Sequence, residues 1–266
     1  MLFDLINTLN FPFLQFQNII WNEHIDKGAS GDVYKCKFNS NECIGKCFYL
    51  KDYYNEKGLL YDVYSELSVY SKLNHLKCIS EIVGYSYCEN DEYICIIMKY
   101  YSSINLDNLI QNNNMNHKEK IDLMLKLSYG LKEIYDRGII HCDIKPQNII
   151  YSKDRCIYID FGVSTHISEN EIEESLGTEG YMSEELDSGY AYHKSDIYSL
   201  GVTFIELWMK DIWCKKKTYR KDVLFALKKI KSENIKLGNI LSKCVSTDMN
   251  KRPKINTLIK HLENLT

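Results

Sequence analysis

The run His141-Cys142-Asp143-Ile144-Lys145-Pro146-Gln147-Asn148, followed by Asp160-Phe161-Gly162, constrains this 266-residue chain more than any other feature. It sets a carboxylate, a lysine and an amide on one short loop. Two apolar runs, Asn148 to Tyr151 and Cys156 to Ile159, flank the turn Ser152-Lys153-Asp154-Arg155 and read as a hairpin. The hairpin ends on a second carboxylate, Asp160. Together these groups supply a base for a hydroxyl, a cation for a phosphate, and two oxygen ligands for magnesium. Mg²⁺ takes hard oxygen donors and borrows the rest of its shell from phosphates and water.

The residues on either side differ in character. Ile19 to Lys51 alternates apolar and polar residues around a glycine-containing break, the mark of successive antiparallel strands. Tyr61 to Leu73 repeats apolar residues near the helical period. Ile82 to Cys88 and Tyr93 to Tyr100 read as strands joined by the polar turn Glu89-Asn90-Asp91-Glu92. From Lys118 the pattern turns helical, with an amphipathic stripe expected to end at Gly138 as its C-cap. Asp196 to Met209, Tyr219 to Ile230 and Ile255 to Leu265 read as further helices. A sheet-rich first third and a helical remainder predict two lobes joined near Lys99 to Ser103. No internal repeat or low-complexity linker interrupts them.

Charge excludes some classes. The 33 cations and 36 carboxylates leave a net charge of −3, so no global field draws the chain to nucleic acid or to a membrane. No run approaches the ~20 apolar residues of a membrane span. Met1 to Phe16 carries Asp4 and lacks a basic leader, which predicts a short segment packed on the first lobe and not a secretory signal. The ten cysteines form no C-x-x-C pair and no zinc-like cluster, and most lie among apolar residues. Free buried thiols in a reducing, cytoplasmic compartment are the expectation.

In order and spacing, the loop and its Asp-Phe-Gly partner resemble the catalytic and metal-binding loops of eukaryotic-type protein kinases. The resemblance covers about Ile19 to Leu265. It implies an α+β, bilobal fold: a small antiparallel β-sheet lobe with one main helix (19–99), a larger mainly α-helical lobe (100–266), and residues 1–18 as an N-terminal extension. ATP and Mg²⁺ are the implied cofactors, and a protein bearing Ser or Thr is the implied partner. Ile25-Asp26-Lys27-Gly28-Ala29-Ser30-Gly31-Asp32-Val33 stands where the family has its glycine-rich loop. Ile25, Gly28, Gly31 and Val33 would lie against the nucleotide, with Asp26 replacing the first glycine. Lys46 takes the place of the lysine that holds the α- and β-phosphates, and Glu66 that of its helix partner. Met98 resembles the gatekeeper, and Lys99 stands where the family has Glu.

By the same resemblance Asp143 is the catalytic carboxylate, Lys145 neutralises the transferring phosphoryl group, and Asn148 and Asp160 ligate Mg²⁺. Lys145 and Gly177-Thr178 follow the serine/threonine-kinase pattern, in which the threonine bridges the catalytic Asp and Lys. Asp196 would hold the catalytic-loop backbone, and Glu185 would pair with Arg252. Departures are Cys142 for the usual arginine, the receiver of activation-loop phosphate, and Ser183-Glu184-Glu185 for Ala-Pro-Glu. Two other classes stay open: a kinase-like binding scaffold without turnover, favoured by Asp26, Cys142 and Glu184, and a small-molecule phosphotransferase, disfavoured by Lys145 and Gly177-Thr178. The basic stretch Lys215-Lys216-Lys217, Arg220, Lys221, Lys228, Lys229 and Lys231 reads as a solvated helix face, or else as a dock for an acidic or phosphorylated substrate.

Overall fold

In the computed structural model the described residues are 2–28, 31–88, 93–102, 104–112, 114–152, 155–169, 171, 177–209 and 220–266. The chain divides into two units, Met1–Ser102 and Ser103–Thr266. The expected turns at 89–92 and 153–154 lie outside the described residues, as do Ala29, Ser30 and Lys215 to Lys217.

In the first unit the alternating pattern becomes β1 (Ile19–Gly28), β2 (Gly31–Phe38) and β3 (Asn41–Tyr49), joined by β4 (Ile82–Cys88) and β5 (Tyr93–Lys99). The antiparallel sheet runs in the order β1-β2-β3-β5-β4. One face packs Ile19, Cys36, Cys43, Cys47, Cys95 and Ile97 around Leu14. All nine described cysteines are free and buried. The main helix, α2 (Glu56–Leu73), starts five residues before the predicted stretch, because the Asn55 side chain accepts the Gly58 N–H at 3.1 Å and caps it. The amino-terminal segment packs here as expected. It contains a helix, α1 (Leu2–Thr8), that contacts α2, and its strand-like part covers the β4 edge. The Tyr85 N–H donates to Pro12 O at 3.0 Å and the Leu14 N–H to Tyr85 O at 2.8 Å. That pairing occupies edge groups otherwise open to another chain.

The second unit is mainly helical. A short strand β6 (Ile104–Asn105) and helix α3 (Leu106–Asn112) precede α4 (His117–Tyr135). A reciprocal capping box between Asn116 and Glu119 starts α4. Its C-cap is Asp136 and not Gly138; the glycine, at φ +74°, turns the chain two residues later into β7 (Ile139–Ile140). The hairpin forms as β8 (Ile149–Ser152) and β9 (Arg155–Tyr158), with β6 pairing alongside β8. β10 (Thr165–His166) pairs with β7. Then come α5 (Glu184–Asp187), α6 (His193–Trp208), α7 (Arg220–Glu233), α8 (Ile235–Cys244) and α9 (Ile255–Glu263). Among the described residues no helix is long and apolar enough to cross a membrane.

Candidate active site

In the first unit, strand register places Lys46. Val33 lies opposite Lys46 across β2 and β3, and Lys46 lies opposite Ile96 of β5. The lysine is thereby held on a central strand. Its Nζ meets Glu66 Oε2 of α2 at 2.7 Å, with both side chains almost fully buried. Removing one member of such a pair strands a buried charge, at a cost of about 3–5 kcal/mol. Gly28 pairs with Gly31 at the end of the β1–β2 ribbon. Gly31 sits at φ +137°, and a Cβ there would come within 2.6 Å of Cys47 O, so only glycine fits. Ile25 is exposed, at an irregularity in the β1–β2 register between His24 and Asp26. Asp26 is also exposed, and its Oδ1 accepts the Lys27 N–H at 2.8 Å. Lys99, in the expected hinge, forms an exposed ion pair with Glu81 at 2.9 Å.

The second unit brings Asp143, Lys145, Asn148 and Thr178 into mutual contact. Lys145 Nζ lies 2.7 Å from Asp143 Oδ2 and 2.6 Å from Thr178 Oγ1. The Thr178 hydroxyl donates to Asp143 Oδ1 at 2.7 Å. Asn148 Nδ2 donates to Asp143 O at 3.0 Å and to Asp143 Oδ2 at 2.8 Å. An amide oxygen could not face that carboxylate, so Asn148 Oδ1 is turned away and stays available as an acceptor. A carboxylate has about four lone-pair directions, of which three are filled here.

The loop is held from below. Asp196 of α6 is fully buried and accepts the His141 N–H at 2.8 Å and the Cys142 N–H at 2.9 Å. Burial pushes its carboxyl up to about 7, although those two bonds and Tyr135 pull the other way. The Asp143 N–H points at His141 Nδ1 (3.3 Å), so the ring's other nitrogen donates to Ile159 O at 3.2 Å. Burial lowers the His141 pKa and favours this neutral form. Ile159 N–H in turn donates to Asn148 O at 3.0 Å, which ties Asp160 to the loop that carries Asp143 and Asn148. The His141 ring lies 4.7 Å from that of Phe161. Asp160 (φ +62°) and Cys142 (φ +67°) both occupy the left-handed region, the kind of local strain that concentrates at functional sites. Cys142 is seated among Ile140, Leu186, Ala191, Val163 and Met182, an apolar niche.

The Glu185–Arg252 pair forms: Arg252 Nη2 reaches Glu185 Oε2 at 3.0 Å, and Nη1 contacts Oε1. Sequence reasoning missed three polar supports. Ser183 and Ser195 hydroxyls both donate to Glu185 Oε1, at 2.7 and 2.8 Å, and the Ser164 hydroxyl donates to His141 O at 3.0 Å. Single serines carry no periodic or motif signal, so only tertiary placement reveals them.

Similarity to known proteins agrees with this geometry. The protein kinase domain family matches residues 20–262. This chain belongs to the protein kinase family. It is 29% identical to serine/threonine-protein kinase MPS1 of Encephalitozoon cuniculi over 258 residues, covering 90% of this chain and 42% of that protein. It is 31% identical over 212 residues to probable serine/threonine-protein kinase fnkE of Dictyostelium discoideum, 76% of this chain and 16% of the relative. With PrkC of Bacillus subtilis, a serine/threonine-protein kinase, identity is 32% over 162 residues, 59% of this chain and 24% of that one. The kinase thus spans less than half the length of each of these relatives.

Proposed function

We propose that this kinase transfers the γ-phosphate of ATP to serine or threonine hydroxyls of proteins. The observation that carries the reading is the Asp143–Lys145–Thr178 triangle, with all three contacts at 2.6–2.7 Å. Asp143 has one acceptor direction left, which suits an incoming hydroxyl whose proton it would take. Lys145, held beside it, would offset charge developing on the transferred group. The threonine fixes both side chains and so their relative placement. Lys46, oriented by Glu66, would hold the α- and β-phosphates.

The donor set suits Mg²⁺. Among the described residues no group of three or more His, Cys, Asp or Glu could cage a metal alone. Asn148 Oδ1 and the Asp160 carboxylate are two hard oxygens, which fits an ion that completes its shell with phosphates and water. When bound, Mg²⁺ would neutralise phosphate charge; Asn148 and Asp160 would position it.

The test is phosphate transfer from labelled ATP to a generic protein. Asp143→Asn should lose most turnover while keeping nucleotide binding, since the carboxylate acts on the hydroxyl. Lys46→Met should lose turnover through misplaced phosphates. A wild type that binds Mg·ATP yet transfers no phosphate would support the scaffold reading instead.

A further inference from the structure

Tyr85 of β4 makes three polar contacts with the segment that precedes the sheet. Its N–H donates to Pro12 O, its carbonyl accepts the Leu14 N–H, and its hydroxyl donates to Asn7 Oδ1 of α1. The Phe13 ring meets the Tyr85 ring edge-on at 5.5 Å. Gly84 makes room for the approach: a Cβ there would lie 2.4 Å from Pro12 O and 2.8 Å from Leu14 Cγ. Covering a sheet edge accounts for Pro12 to Leu14. It does not account for α1, whose Ile6 is fully buried and which packs along α2. A helix of seven residues is not stable alone, so α1 owes its form to that packing.

Strand register shows what the packing connects. Tyr85 lies opposite Ile96 of β5, and Ile96 lies opposite Lys46 of β3, so the three side chains form one row on one face of the sheet. The ladders on either side fix Lys46. Glu66 instead depends on how α2 rests on the sheet, which side-chain packing decides. Among the described elements α1 is the one that lies along α2 most extensively. It therefore closes a ring that runs from Lys46 through Ile96 and Tyr85 to Asn7, across α1 to α2, and through Glu66 back to Lys46.

We propose that α1, with Ile6 and Asn7 as positioning residues, holds α2 at the setting in which Glu66 meets Lys46, and so raises affinity for Mg·ATP. The link to the nucleotide rests on the kinase reading above. With α1 released, α2 can shift on the sheet, and only molecules that keep the ion pair bind well. If about a tenth of them do, affinity falls about tenfold.

The experiment uses the full chain and two readouts, amide hydrogen exchange and Mg·ATP binding by calorimetry well below the unfolding temperature. Ile6→Asp, Asn7→Ala and Gly84→Ala remove the brace at three points. Ile6→Leu and Asn7→Asp are conservative counterparts, since a carboxylate still accepts the Tyr85 hydroxyl. The first three should exchange faster across α2, with β3 and β5 unchanged, and should bind Mg·ATP about tenfold more weakly. The conservative pair should behave as wild type. Should Ile6→Asp fail to fold, Asn7→Ala and Gly84→Ala decide. Unchanged exchange in α2 would overturn the proposal. So would a lower melting temperature with unchanged Mg·ATP affinity, because a segment that only adds stability does not alter binding to the folded chain. Glu66→Ala tests the underlying reading separately. If it binds Mg·ATP as tightly as wild type, the nucleotide role of the ion pair falls, and the exchange result still decides whether α1 sets α2.

Discussion

Asp196 shows how one buried carboxylate links loop geometry to pH. Its folded pKa of about 7 lies above the ~3.9 of an unfolded Asp, so the native state favours the protonated form. The stabilisation this confers is complete below about pH 4 and is lost as pH rises towards 7. About 2–3 kcal/mol of it should disappear between pH 5 and 8. Burial lowers the His141 and His193 pKa values, which gives the opposite slope. Those residues remain in an Asp196→Asn variant, so the difference between variant and wild type isolates Asp196. Urea unfolding at pH 5 and pH 8 should show the variant gaining on the wild type as pH rises; parallel behaviour would mean the carboxyl titrates normally. The variant should still lose turnover. Asn offers one oxygen where Asp196 serves two N–H groups, leaving His141 or Cys142 facing an amide NH₂. At this scale the motif residues were legible because their spacing is fixed by the chemistry. The seat of Cys142 was not, since its apolar niche draws on Leu186 and Ala191, more than forty residues away in sequence.

At the scale of elements, backbone and hydroxyl hydrogen bonds hold the described segment after Asp160. β10 pairs with β7, the Ile167 N–H donates to Gly138 O at 2.8 Å, and Ser164 bonds His141 O. Cys142, which the family resemblance sets at the position of the receiving arginine, packs into apolar side chains. A phosphate orders such a segment only when a cation receives it. Phosphatase-treated protein should therefore keep its activity, and alanine at Thr165 or Ser168 should cost little. A large loss on dephosphorylation, restored by Mg·ATP, would point to another cation. The downstream anchor is Arg252, whose side chain is fully buried against Glu185 and also reaches Ser246 O at 2.8 Å and Lys194 O at 2.9 Å. Burial raises the Glu185 pKa, but Arg252 and Ser183 bring it below the ordinary value, so this support fades as pH falls through it. Arg252→Ala leaves Glu185 unpaired and should cost about 3–5 kcal/mol, a melting-temperature drop on the order of 10 °C. Helix α8 escaped the sequence pattern because Gly238 interrupts it. The glycine is there for packing: a Cβ would lie 2.9 Å from the Lys231 backbone of α7.

For the whole molecule, the division into a sheet unit and a helical unit was legible from composition and periodicity. The change from period two to period 3.6 along the chain reflects which backbone hydrogen bonds each half can make. Less legible was the short-range detail, such as the first turn of α2, which depends on Asn55 as a cap. The kinase reading gives Lys46 the α- and β-phosphates of the nucleotide, and Asn148 and Asp160 its Mg²⁺. That assignment gives a test that needs no substrate. Mg·ATP at a hundredfold excess over its dissociation constant should stabilise the folded chain by about 2.7 kcal/mol, a shift of roughly 5–10 °C. Lys46→Met and Asp160→Asn should each remove most of that shift. Asp160→Asn should also remove the difference between ATP with and without Mg²⁺, because an amide is a poorer ligand than a carboxylate for a hard dication. Asp143→Asn should keep the whole shift. If either Lys46→Met or Asp160→Asn kept the wild-type shift, the nucleotide role assigned to that residue would fall.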